Sequence, residues 1–200
     1  MLMVGTDPVE VERLFGGGEL NCPDCRGVLR GWGHARERVV GGVGVVRPRR
    51  SRCPACARTH VLLPISMLLR RADGVEVIGA ALLAGAAGQG FRRIAAVLGR
   101  AECTVRGWLR RFTVRAQGWR QSFTVLVDAL DPEVGPVVAR GSVFADAVEV
   151  IGVAAAAAAR RFGPRPAWQF ASRVSGGLLL GPVGSGSGVG QHELTLIGAG

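Results

Sequence analysis

The sequence predicts a mainly α protein with a small β unit at its head, and three observations predict it. Two CxxC pairs, Cys22-Pro23-Asp24-Cys25 and Cys53-Pro54-Ala55-Cys56, bracket short β-prone runs. Residues 91–112 show two helical patterns broken at Gly99, and from Val105 onward apolar residues recur at alternating spacings of four and three. The first pattern is that of a β ribbon closed around a metal, the second that of a helix-turn-helix, the third that of helices packed along a heptad seam. The expected order is a small β zinc ribbon, a helix-turn-helix three-helix unit and an antiparallel helical hairpin.

Residues 1–19 are acidic, contain Gly16-Gly17-Gly18, and read as a loosely held lead-in. Residues 20–66 form the ribbon. Val28–Trp32 and Val43–Val46 are β-prone with Gly41-Gly42 as the turn between them, and His60–Leu63 leaves the second knuckle and stops at Pro64. Residues 67–114 form the helix-turn-helix DNA-binding domain. Asp73 with Glu76 three residues on has the form of a capping box, and Val75, Ile78, Leu82 and Ala86 share one helical face. Gly79 and Gly85 weaken that helix. The second helix spans about Phe91 to Leu98, and the third begins at Ala101 or Glu102.

Residues 115–175 read as the helical hairpin. Val105, Leu109, Phe112, Ala116, Trp119, Phe123, Leu126 and Leu130 form one seam, which continues out of the third helix. After a breaker at Asp131-Pro132 and Gly135-Pro136, Phe144, Val148, Ile151, Ala155, Ala158 and Phe162 form a second. Two seams joined by a short loop pack against each other, and the alternative is a homodimer through the heptad seam. Gly107 and Gly118 argue against one unbroken rigid helix, since each costs up to about 1 kcal/mol relative to Ala. Trp168–Val174 adds a short helical turn, and residues 176–200 read as a Gly/Ser-rich, disordered tail.

A CxxC turn lets two thiolates converge on one ion, and a second knuckle closes the tetrahedron. Cys22, Cys25, Cys53 and Cys56 are thus the candidate ligands of a Zn2+ with no open position for chemistry. A ribbon this small, with few large apolar residues, needs such a staple; structural zinc contributes on the order of 10–16 kcal/mol in small peptides. His60, four residues past Cys56, could replace a cysteine as ligand, but with four thiols present it reads as a strand side chain; Cys103 reads as a small helix residue, and His34 and His192 lack metal spacing.

All 25 basic residues are arginine, and nineteen of them fall within residues 26–120 against four acids. That asymmetry, confined to the stretch carrying both motifs, suits a polyanion. Residues 1–15 carry Asp7, Glu10 and Glu12 and no basic run before an apolar core, which does not fit a secretory signal. The longest apolar runs, Val77–Ala87 and Ile151–Ala159, fall short of the roughly 18–20 residues that cross a bilayer. Five cysteines, four in metal spacing, fit a reducing compartment, so the expected location is the cytoplasm with no membrane partner.

In the helix-turn-helix, Ile94, Ala95 and Leu98 form the packed face of the first helix, Gly99 the left-handed turn, and Val105, Trp108 and Leu109 the opposing face. The other side of the third helix shows Cys103, Thr104, Arg106, Gly107, Arg110 and Arg111. Near a helix N-terminus these would meet base edges of double-stranded DNA, with Arg106 and Arg110 reaching guanine or phosphate. Arg92, Arg93 and Arg100 would sit over the backbone, with Arg100 in a solvated turn beside phosphate.

The CPDC knuckle, Gly33-His34-Ala35-Arg36, Arg49-Arg50-Ser51-Arg52 and CPAC-x3-His60 together resemble the zinc ribbon heading many bacterial insertion-sequence transposases. RRIAAVLGR followed by TVRGWLRRF resembles their helix-turn-helix. The combination also resembles a family of uncharacterised actinobacterial zinc-ribbon/helix-turn-helix proteins of about this length. The resemblance covers roughly residues 20–115, and implies that the four cysteines hold zinc and that the Arg106/Arg110 face reads DNA. A full transposase needs a sheet that brings three carboxylates onto two metals. After Phe112 only 88 residues remain, mainly helical in pattern, with Asp128, Asp131, Glu133, Asp146 and Glu149 beside a breaker or on helix faces. The expected function is therefore non-catalytic DNA binding, as a transposition accessory or transcriptional regulator. Alternatives are the DNA-binding head of a transposase working with a separate catalytic subunit, and an RNA-binding ribbon protein, which A-form RNA disfavours for a major-groove reader.

Overall fold

The computed structural model describes residues 1–182. It is mainly α with a small β region in the N-terminal part, as the sequence predicts. The strands are β1 (Leu2–Val4), β2 (Arg30–His34), β3 (Arg38–Val40), β4 (Gly44–Val46), β5 (Arg49–Arg52) and β6 (Thr59–Pro64). The helices are α1 (Pro8–Gly16), α2 (Val75–Ala86), α3 (Phe91–Leu98), α4 (Glu102–Leu130), α5 (Val143–Phe162) and α6 (Ala167–Val174), with a 3-10 turn at Pro132–Val134.

The lead-in is ordered, contrary to expectation. Pro8 opens α1, and the Asp7 carboxylate accepts a hydrogen bond from the Val9 amide at 2.9 Å, an N-cap that the acidic composition concealed. Val11 and Phe15, four apart, bury one face of α1 against Leu20, Leu29 and Leu62 of the ribbon. β1 runs parallel to β6, with Leu2 opposite Leu62, so the chain start forms the edge of a four-stranded sheet ordered β1-β6-β5-β2. The other two pairings are antiparallel, and β3 and β4 form a separate hairpin around Gly41-Gly42.

Five helices share one core, from Leu68 through α2–α6 to Leu180. Every residue of the first heptad seam is buried except Leu109, which is half-buried. The second seam faces it from α5, where Val148, Ile151, Ala155 and Ala158 are buried. Phe112 meets Phe144 edge-on at 5.0 Å between ring centroids, and Phe123 meets Phe170 at 6.3 Å. The two seams thus cover each other within one chain, as expected, and the alternative homodimer would need another surface. Gly107 and Gly118 do not interrupt α4, which runs unbroken for 29 residues. Packing of the seam on both sides of each glycine outweighs their modest helix cost.

Two further expectations are corrected. Asp73 does not cap α2: the N-cap is Gly74, without a side-chain cap bond, because the Asp73 carboxylate instead accepts from Arg100 Nε at 2.6 Å. The start of the Gly/Ser-rich tail is part of the core: Leu179 and Leu180 are fully buried. Trp119 Nε1 donates to the Leu179 carbonyl at 3.0 Å, and Arg71 and Arg115 donate to the carbonyls of Leu180 and Pro182. The remainder of that tail, residues 183–200, lies outside the described residues.

Candidate metal centre and nucleic-acid interface

The two knuckles are built alike. In each, Cys-Pro-x-Cys is followed by a non-glycine residue in the left-handed conformation, Arg26 at φ 65° and Ala57 at φ 59°. That conformation is unfavourable for an L-residue with a side chain, and it persists where surrounding contacts require it. The turn is closed on the first knuckle by Cys22 N–H to Gly27 O at 2.8 Å and Arg26 N–H to Cys22 O at 2.9 Å. On the second, Cys53 N–H bonds Arg58 O at 2.9 Å. β5 leads into Cys53 and β6 leaves Cys56, so the sheet holds the second knuckle over the first.

The result is a four-sulfur cluster. The Sγ atoms of Cys22, Cys25, Cys53 and Cys56 lie within 4.8 Å of one another, with Cys22–Cys56 at 3.7 Å and Cys25–Cys53 at 3.4 Å. All four are free thiols. Sulfurs bound tetrahedrally at about 2.3 Å from one ion stand about 3.8 Å apart, so this cluster can hold a single metal ion.

The electrostatics agree with that fit. Burial pushes the Cys22 thiol up, but the Asp24 and Cys25 backbone amides and the neighbouring Cys56 and His60 bring it below its usual value. The Cys56 backbone amide, against burial and with help from Cys25, brings Cys53 down to about 7. The Gly27 amide lowers Cys25, yet the neighbouring Cys53 and Cys56 sulfurs outweigh it and push Cys25 up to about 12. Cys56 is likewise raised, its Arg58 amide bond outweighed by burial and the adjoining thiols. Two thiols inclined to ionise thus oppose two held back by them, and a bound cation is what lets all four become thiolates.

His60 lies on a strand, as expected; the sequence also allowed it as a substitute ligand, but did not show its burial beside four thiols. It is buried, with Nε2 3.4 Å from Cys22 Sγ and 3.8 Å from an Asp24 carboxylate oxygen. The signal that could have found it is the period-two alternation of β6, which puts His60 and Leu62 on the same inner face.

The helix-turn-helix elements fall where expected. Gly99 takes φ 60° and ψ 41°, and the amides of Gly99 and Arg100 bond the carbonyls of Ala96 and Ala95. This is a Schellman close, which only a residue comfortable at positive φ makes without strain. Ile94 and Ala95 pack on Val105 and Trp108, all buried.

Of the residues predicted to face DNA, Arg92, Arg93, Cys103, Arg106, Arg110 and Arg111 are exposed, and Thr104 and Gly107 are half-buried on the same helix. Arg92 leans toward Glu102 at 3.5 Å, Arg106 lies over the Phe91 ring, and Arg111 donates to the Gly107 carbonyl. Arg93, Arg106, Arg110 and Arg111 form no ion pair among the described residues. Arg100 is the exception to the expectation of a solvated turn. Its guanidinium is engaged by Asp73, with 30% of the Arg100 and 12% of the Asp73 side chain exposed. Gly74 N–H donates to the Gly41 carbonyl and Gly41 N–H to the Ala72 carbonyl, each at 2.8 Å. The turn of the helix-turn-helix is therefore tied through Asp73 to the β3–β4 hairpin of the ribbon.

Three of the carboxylates after Asp128 are engaged by arginines. Asp131 pairs with Arg160 at 2.7 Å, Glu149 with Arg140 at 2.8 Å, and Asp146 accepts from the Arg140 amide. No described helix is long and apolar enough to cross a membrane. No protein-family model, curated protein or solved structure matches the chain.

Proposed function

We propose that this chain is a DNA-binding protein without catalysis of its own, whose zinc-held ribbon and helix-turn-helix bind double-stranded DNA as a transposition accessory or transcriptional regulator. The observation that carries the reading is α4. It leaves the Schellman turn with Arg106, Arg110 and Arg111 exposed and in no ion pair among the described residues, and after Glu102 it bears no acid until Asp128. A helix so placed can enter a major groove, where Arg106 and Arg110 read guanine edges while Arg92 and Arg93 hold phosphates. Zinc is the metal best suited to four clustered thiolates in tetrahedral spacing. Its chemistry is structural: it neutralises the sulfurs and clamps the two knuckles, and it offers no open position.

The test is selection from a random duplex pool by metal-loaded and chelator-treated protein at physiological salt. A short enriched motif is expected, and Arg110→Ala should relax one position of it at a cost of about 1–3 kcal/mol. Affinity that collapses with salt, with no motif enriched, would refute the reading.

A further inference from the structure

The chain has four tryptophans, and three of them are core residues: Trp108, Trp119 and Trp168 expose 3%, 2% and 6% of their surface. Trp32 exposes 52%. It lies on β2, an edge strand exposed along its whole length. The β2–β5 register shifts between Gly31 and His34, and Gly33 within that shift takes φ 74°. A break of this kind re-aims the side chain at the edge of a sheet.

The neighbours of Trp32 are cationic. Arg30 stands opposite Arg52 in the β2–β5 ladder, and the Arg52 guanidinium lies over the Trp32 indole at 4.9 Å from its centroid. Arg50, two residues from Arg52, shares its face of β5 by the alternation of a strand. None of Arg30, Arg50 and Arg52 forms an ion pair among the described residues. The opposite face of the sheet is the buried one, where Ser51, His60 and Leu62 turn toward the sulfurs and α1.

An exposed aromatic ring set among unpaired guanidinia suits a polyanion that also has flat apolar faces to stack. A single nucleic-acid strand offers both at every nucleotide, whereas the base faces of a duplex are covered by their neighbours. We propose that this outer ribbon face is a second nucleic-acid site, which binds single-stranded DNA by stacking an unpaired base on Trp32 while Arg30, Arg50 and Arg52 neutralise the flanking phosphates. In preferring DNA to RNA the proposal rests on the duplex reading of α4; the stacking site itself does not involve that helix.

Trp32 is also the reporter, because it is the one tryptophan a ligand can reach. Metal-loaded full-length protein is titrated with a 12-mer of thymidylate while tryptophan emission is followed. Saturable quenching is expected. Trp32→Leu should abolish it and weaken binding, measured with a labelled oligonucleotide, about 5- to 100-fold, and Trp32→Phe should keep most of the affinity. Arg110→Ala should leave the quenching intact, and Trp32→Leu should leave any duplex motif intact, so the two sites fail separately. Absence of quenching, equal affinity in Trp32→Leu, or quenching by oligouridylate but not by the thymidylate 12-mer would each overturn the proposal.

Discussion

Gly79 sits in the middle of α2, where helix propensity alone favours alanine by about 1 kcal/mol. The structure predicts that Gly79→Ala is nonetheless destabilising. Gly79 is buried, and a Cβ built there would overlap Cγ, Cδ1 and Cδ2 of the Trp168 indole, far inside van der Waals contact. Trp168 is 6% exposed and belongs to the shared core, so its ring cannot swing outward without uncovering apolar surface. Forcing a methyl into such packing costs typically 1–3 kcal/mol, and overlap with three atoms of one rigid ring argues for the upper end. Subtracting the propensity gain leaves a net loss of about 2 kcal/mol, or a fall in Tm of about 4–8 °C for a chain of this size.

Gly118 of α4 supplies the control. A Cβ there meets nothing within 4 Å, so Gly118→Ala should gain about 0.5–1 kcal/mol. Thermal and urea unfolding of the two variants, both metal-loaded, read the contrast directly. A Gly79→Ala protein that melts at or above the parent would mean that α2 and α6 do not approach as closely as described, and the reasoning would fail.

Two other expectations follow from the ribbon and its junction. Asp73→Asn keeps the shape of the side chain but removes the charge opposite Arg100. Allowing for the solvent open to Arg100, it should cost about 1–2 kcal/mol, with a double-mutant cycle against Arg100→Leu returning most of that as coupling; coupling near zero would show the pair to be incidental. Removing the metal with a chelator, or blocking it with Cys53→Ser, should loosen the ribbon while the helical core, which contains none of the ligands, stays folded. Hydrogen exchange would then rise in residues 20–64 while far-UV helical signal persists, and a parallel collapse of both would contradict the separation of the cores.

Features set by short-range chemistry were legible in the sequence. Each knuckle is closed by its own CxxC spacing, Gly99 by the conformation its turn demands, and the two heptad seams by repetition along one helix face. Features set by distant partners were not. β1 has three residues and no local signal; it is a strand because β6, some sixty positions away, offers it a parallel edge. Asp73 has the composition of a cap, but Arg100 competes for its carboxylate. Gly79 looks like a defect in α2 until Trp168 is placed against it. Leu179-Leu180 looks like tail because of the glycines around it, though the two leucines complete the core. In the candidate site, the four sulfurs were legible from spacing, whereas the proximity of His60 and the exposure of Trp32 depend on which face of a strand is covered.

The covering of the α4 seam by α5 bears on the shape of the target. Helix-turn-helix proteins that pair through a shared interface present two reading helices related by a dyad, and their operators are inverted repeats for that reason. Here the apolar stripe that would join two copies is closed over by the same polypeptide. A chain reading DNA through one such helix would meet the duplex once, in one direction. Its binding site would be short and lack a palindrome, and so would carry a polarity that orients whatever is assembled beside it.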